Sequence, residues 1–395
     1  MTTWKLGCRW GTGRSLFYNY LKENQFGVGV WDKKYEVGDL VLLTDGFTGL
    51  GIARVTGPAT SALEQPELQA EFERLQIDYD DYMLVAPARI FDLPREGDLF
   101  YETQQGICRI SPDNKPTLVR AIARYNTQFE QMQQIQDTID LLKAKGQLVL
   151  QGPPGTGKTR LAELVADQLA GAPERRKLIQ FHPAYAYEDF VRGIVADTVD
   201  GSLRYRAENK VLAELAEKAA ADPEQSYILI IDEINRANLP AVLGELIYAL
   251  ENRDKDVDSV YGLEVSGGKS RVLRLPHNLF IIGTMNTADR SVGHMDYAIR
   301  RRFAFVTVLP DANVVPQGPA RRLFEQVQKL FEEHLSPEFK IQDVQPGHSY
   351  FLVNASGGLT LRQKLEYELK PLLHEYLRDG ILLPTAEKSV ASLSA

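Results

Sequence analysis

Gly152, Pro153, Pro154, Gly155, Thr156, Gly157, Lys158 and Thr159 stand in a row, and the run meets the pattern G-x-x-x-x-G-K-[ST] at every position. Such a run suits the grip on a triphosphate. Backbone N–H groups at a helix N-terminus wrap its oxygens, and side chains on the loop would obstruct that approach. Gly152, Gly155 and Gly157 keep the loop bare, Lys158 has the reach and charge for the β- and γ-phosphates, and the Thr159 hydroxyl suits a Mg²⁺ ligand. Arg160, next in line, is counted with the nucleotide-binding residues.

A loop of this kind needs a strand before it and a helix after it. The apolar run Leu148–Leu150 and the apolar residues at helical spacing from Leu161 to Leu169 provide both. A second apolar run, Tyr227–Ile231, ends in Asp232 and Glu233, as expected of a strand buried on both faces of a parallel sheet. Asp232 is expected to join Thr159 as a metal residue in the Mg²⁺ shell, and Glu233 to polarise the attacking water. A third run, LFIIGTMN, ends in Asn286, whose amide can orient that water against the γ-phosphate. Beyond it Arg300, Arg301 and Arg302 are adjacent. Neighbouring cations on a short helix repel one another, so an anionic partner is expected. In a ring, Arg301 and Arg302 would reach the γ-phosphate held by the next copy.

At 395 residues the chain has room for two or three domains, and its 44% hydrophobic and 25% charged residues are those of a globular protein. No apolar run is long enough for a membrane span, and the N-terminus lacks an apolar leader, so a cytoplasmic location is expected. Two cysteines, Cys8 and Cys108, and six scattered histidines make no disulfide framework, zinc cluster or nuclease centre. The net charge of −8 speaks against a chain that coats nucleic acid, though not against a local basic groove.

Residues 1–110 read as a small, mostly β, barrel-like module of short strands punctuated by glycine. Trp4, Trp10, Phe17, Tyr18, Tyr20, Phe26, Trp31 and Tyr35 interleave there with Arg9, Arg14, Lys22, Lys33, Lys34 and Arg54. Rings beside cations suit a stacked or flipped base, which makes the module a possible DNA or modified-base reader; the alternative is that the rings fill the core. The module has a loose similarity to small PUA-like or EVE-like barrels. Residues 111–127 read as a linker, 128–310 as the α/β nucleotide-binding core, 311–385 as a helical lid and 386–395 as a polar, frayed tail. Two insertions, 194–210 with a turn at Asp200-Gly201 and 252–276, read as hairpins or loops; Tyr261, Lys269 and Arg271 on the second could touch a partner. Arg362, opening the last long helix, is a candidate cation for the nucleotide.

These pieces, in this order, resemble those of AAA+ motors: an α/β P-loop NTPase with a parallel sheet and a helical lid. FHPAYAYEDFVRG at 181–193, IIDEINRAN at 230–238, MNTADRS at 285–291, DYAIRRRF at 296–303 and GHSYF at 347–351 are similar to segments of the McrB family, over roughly residues 146–380. The resemblance implies that Asn235, Arg236, Asp289 and Arg290 belong to a catalytic interface between subunits. It further implies a homo-oligomer, expected to be a hexamer, that hydrolyses ATP or GTP with Mg²⁺ and drives a separate McrC-like nuclease in restriction or antiviral defence. Interchangeable N-terminal modules read the target DNA in that family. The alternatives are a MoxR-like remodelling chaperone acting on a protein client and an NTP-binding defence scaffold with slow turnover.

Overall fold

A computed structural model describes residues 2–10, 15–30, 35–45, 48–74, 83–93, 107–110, 116–199, 202–265, 268–289, 295–353 and 357–395. The chain forms two compact units, Met1–Glu130 and Gln131–Ala395. The segment read as a linker is helical from Pro116, within one helix Pro116–Lys145.

In the first unit, the strands Phe26–Val30, Met83–Asp92, Thr48–Val55, Leu40–Asp45, Thr3–Gly7 and Ile107–Arg109 pair in that spatial order. Only Thr3–Gly7 against Leu40–Asp45 is parallel among these pairs. The unit is β-rich, as expected. Of the two readings of its rings, those described take the core-filling one. Trp4, Phe17, Tyr18 and Tyr35 are buried in one apolar cluster, and Tyr20 and Phe26 pack against it. Trp4 donates its indole N–H to Asp39 at 2.9 Å. Of the cations, Lys22 pairs with Asp92 and Arg54 lies 4.5 Å over the Phe129 ring. A small sheet needs large side chains to fill its core, and these rings meet that need. The side chains of Arg9, Trp10, Arg14, Trp31, Lys33 and Lys34 lie outside the described residues.

The second unit is built on five parallel strands in the order Arg176–Gln180, Tyr227–Asp232, Leu279–Asn286, Gln147–Gly152 and Ala304–Thr307. Leu148, Val149, Leu150, Ile228, Leu229 and Ile282 are fully buried in this sheet, each contributing roughly 1.5–3 kcal/mol. The strand register decides where the chemistry meets. Gly152 stands opposite Asn286, and Gln180 opposite Asp232, so the chemical ends of three strands finish at one edge. Gly283 lies where a Cβ would come within 2.8 Å of Ile234, which lets the segment after Glu233 close onto the asparagine strand.

Both insertions are antiparallel hairpins, Arg192–Val199 with Ser202–Asn209, and Asp256–Val265 with Gly268–Arg274. The Asp200-Gly201 turn lies outside the described residues. Buried Arg192 fastens the hairpins together, donating to Asn209 Oδ1 at 2.7 Å and to the Val272 and Arg271 carbonyls at 2.9 and 3.1 Å. Tyr261 is held by Glu188 at 2.7 Å, whereas Lys269 and Arg271 are exposed.

The helices Pro319–His334, Leu361–Lys364 and Lys370–Arg378 form the lid around an apolar cluster of their own. The last two are joined by a π-helical turn, Leu365–Leu369, just ahead of Pro371, whose missing N–H removes a helical bond. The tail is not frayed as expected. Glu387–Ser392 is helical, with Val390 and Leu393 buried in the lid cluster, so two apolar side chains anchor a mostly polar sequence.

Candidate nucleotide site

The helix Lys158–Ala170 starts from Gly157, whose φ of 82° places it in the left-handed region open to glycine. The loop's carbonyls are engaged from two sides. Lys158, only 9% exposed, donates to the Gly152 and Pro153 carbonyls at 2.9 and 2.8 Å. From the lid, Gly347 N–H donates to Pro154 O at 2.8 Å and Ser349 N–H to Gly155 O at 3.0 Å. The N–H groups of Gly155, Thr156 and Gly157 donate to no backbone acceptor among the described residues. The loop thus offers donors, which is the chemistry a phosphate needs. Burial lowers the Lys158 pKa from 10.5 to about 8, against the opposing pull of Glu233 and Asp232.

Asp232 Oδ1 accepts from Thr159 Oγ1 at 2.8 Å and from Thr284 Oγ1 at 2.6 Å, and Thr284 Oγ1 in turn accepts Glu233 N–H at 3.1 Å. Mg²⁺ is usually held by one or two carboxylates and substrate phosphate oxygens with water completing the shell, so Asp232 beside the Thr159 hydroxyl fits that ion. Glu233 has a φ of 54°, and its buried Oε2 has no hydrogen-bond partner; Arg236 Nε is 3.4 Å from it. Asn286 Oδ1 accepts Ala288 N–H at 3.2 Å, and Thr287 N–H donates to Gly152 O at 3.1 Å, tying the asparagine turn to the phosphate loop.

Lys158, Thr159, Asp232, Glu233 and Asn286 are therefore brought together, as the sequence predicts. Arg160 is exposed on the first helical turn, and its charge, after burial, helps to lower the His348 pKa. Arg236 bridges Glu233 and Asp289, at 3.4 and 3.3 Å. Asn235 is buried. Arg290 lies outside the described residues.

Arg302 corrects an expectation. Its side chain is 10% exposed, donates to Ile247 O at 2.7 Å and to Ala298 O, and pairs with Glu251 at 3.3 Å. A guanidinium so enclosed does not extend to another copy. Arg301 does project, with 66% of its side chain exposed and Glu251 3.4 Å from Nε. Arg362 is likewise exposed, and the lid cation that reaches the loop's neighbourhood is Lys364, on the Ser349 carbonyl at 2.9 Å.

Sequence reasoning missed Thr284, whose signal was a lone hydroxyl in an otherwise apolar strand, two residues before Asn286 and so on its face. It also missed the lid clamp, because a backbone bond leaves no mark in residue type.

The profile of the AAA domain (dynein-related subfamily) matches residues 147–303. The Type IV methyl-directed restriction enzyme EcoKMcrB subunit of Escherichia coli (strain K12) is 36% identical over 265 residues, 62% of this chain and 57% of that protein. Residues 147–303 thus carry an AAA domain, and the chain is similar to this McrB subunit over 265 residues. The Type II restriction enzyme BsuMI component YdiS of Bacillus subtilis (strain 168) is 28% identical over 189 residues, 40% of this chain and 55% of that protein. The chain thus spans a little over half the length of each of these relatives. Among solved structures, NtrX from Brucella abortus overlaps this chain with a TM-score of 0.30 at 14% identity, covering 71% of each chain.

Proposed function

We propose that the chain is the motor subunit of a McrB-like restriction system, hydrolysing ATP or GTP with Mg²⁺ in a hexameric ring. The reading is carried by the meeting of Lys158, Thr159, Asp232, Glu233 and Asn286 at the ends of neighbouring parallel strands. The loop N–H groups and Lys158 bind the phosphates, and Thr159 with Asp232 would hold Mg²⁺, which neutralises charge on the phosphate oxygens when bound. Glu233 takes the proton of the attacking water, and Asn286 orients that water. Arg301 of the adjacent copy meets the charge that develops on the γ-phosphoryl group. Arg236, exchanging between Glu233 and Asp289, senses whether that phosphate is present.

The similarity to restriction components supports coupling to a separate McrC-like nuclease and to target DNA, modified or not, read by the N-terminal unit in the cytoplasm. Among the described residues no helix is long and apolar enough to cross a membrane. The test is steady-state hydrolysis of ATP and of GTP by the wild type and by Glu233→Gln. The variant is expected to bind nucleotide and lose at least about 100-fold in kcat. Turnover that persists in it would remove Glu233 from its role.

A further inference from the structure

Beside the phosphate loop lies a cleft of about 620 Å³, bounded by Pro154 and Asn286 on one side and by Leu372, Glu375, Tyr376, Asp379 and Ile381 on the other. Its charge is of the wrong sign for a phosphate. Glu375 and Asp379 are exposed and pair with no cation among the described residues, and both stand in the last turn or at the end of the helix Lys370–Arg378. Carboxylates are disfavoured there by the negative end of the helix dipole, so nothing within this helix accounts for them. Between them Tyr376 is 4% exposed, and its buried hydroxyl has no hydrogen-bond partner. A cleft rimmed by unpaired carboxylates beside the apolar side chains of Leu372 and Ile381 fits a partner that is both cationic and apolar.

The same chain presents such a group elsewhere. On the short helix Tyr297–Arg300, Tyr297 is 90% exposed, one of the most exposed large side chains in the molecule. Arg300 is exposed, has no ion-pair partner among the described residues, and lies with its guanidinium carbon 4.5 Å over the Phe305 ring. Residues three and four apart share a helix face, so Tyr297, Arg300 and Arg301 form one aromatic and cationic stripe.

Resting on the ring proposed for this chain, we propose that this stripe docks into the acidic cleft of a second copy. Arg300 pairs with Glu375 and Asp379, and Tyr297 covers the apolar wall of Leu372 and Ile381. Stripe and cleft are different patches of one chain, so the contact is head-to-tail and closes into a ring when the rotation allows. It also brings Arg301 to the neighbour's phosphate loop, since Pro154 borders the cleft. The lid thereby selects the neighbour through Glu375 and Asp379.

The experiment weighs the full chain by mass photometry and sedimentation with the β,γ-imido analogues of ATP and GTP. Glu375→Arg/Asp379→Arg and Arg300→Glu are each expected to raise the concentration needed for assembly about tenfold or more, and the triple variant to recover most of that loss. Unchanged melting temperatures would show that the variants fold. Assembly that survives reversal of the two carboxylates, or that the triple variant fails to restore, overturns the docking while leaving the ring standing. A wild-type chain that stays monomeric with both analogues overturns docking and ring together.

Discussion

Thr284 Oγ1 sits between Asp232 and Glu233, giving its proton to Asp232 Oδ1 at 2.6 Å and accepting Glu233 N–H at 3.1 Å. One hydroxyl on the central strand thus fixes both the carboxylate suited to Mg²⁺ and the left-handed backbone of the residue suited to activate water. Thr284 is a positioning residue: it acts through Asp232 and Glu233.

Thr284→Val keeps shape and removes both bonds. The expected result is a higher half-saturating Mg²⁺ concentration and a kcat lower by about 10–100-fold, with Thr284→Ser restoring most of it. Titrating Mg²⁺ at saturating nucleotide measures both quantities. A Val variant with wild-type Mg²⁺ dependence would reduce Thr284 to packing.

Lys158 predicts a pH dependence. Burial lowers its pKa to about 8 from 10.5, so between those values the folded chain has released a proton that the unfolded chain still binds. Folding stability from this group therefore rises with pH across that window. Phosphate binding goes the other way, because only the charged ammonium attracts the anion. Nucleotide affinity should fall by up to about tenfold per pH unit above about 8. Fluorescence titration from neutral pH upward would show it, and an affinity flat well past that point would mean that Lys158 stays protonated.

The strands and their chemical ends were legible because apolar runs closed by Asp232, Glu233 and Asn286 have no cheaper place than the edge of a buried parallel sheet. What was illegible depends on register and backbone. Trp4, Phe17 and Tyr35 look alike in sequence whether they stack on a base or fill a core, and burial alone separates the two. Arg301 and Arg302 are likewise indistinguishable until the short helix fixes which points outward. The tail looked polar by composition, yet Val390 and Leu393 sufficed to anchor it.

Gly347 predicts that lid and loop are fitted to each other at backbone distance. Its φ of −74° is open to any residue, so the constraint is space alone. A Cβ there would lie 2.1 Å from the Gly155 carbonyl carbon and 2.3 Å from Thr156 N. Both are backbone atoms of the phosphate loop and cannot swing aside. Gly347→Ala should push the lid off the loop at a cost of about 1–3 kcal/mol, raise KM for nucleotide and expose the lid to limited proteolysis. Wild-type KM and proteolytic pattern would show that the loop yields.

Arg301 and Arg302 should part company on mutation, although they are neighbours in sequence. Arg302→Ala removes the donor from the Ile247 and Ala298 carbonyls and the partner from Glu251, so a lower melting temperature is expected, from a loss of about 1–3 kcal/mol. Arg301→Ala removes a mostly exposed side chain with one long contact to Glu251, so melting should barely change. Turnover in the assembled ring, however, should drop by about 10³-fold or more, with nucleotide binding by the isolated chain intact. Mixing supplies the sharper test. Arg301→Ala subunits keep their own site but starve the neighbour's, whereas Glu233→Gln subunits keep the arginine and lose their own site. Combining the two variants should recover activity at sites that pair an intact Glu233 with an intact Arg301 from next door. If the mixture is as inactive as either variant alone, while both still co-assemble, Arg301 does not act across the interface.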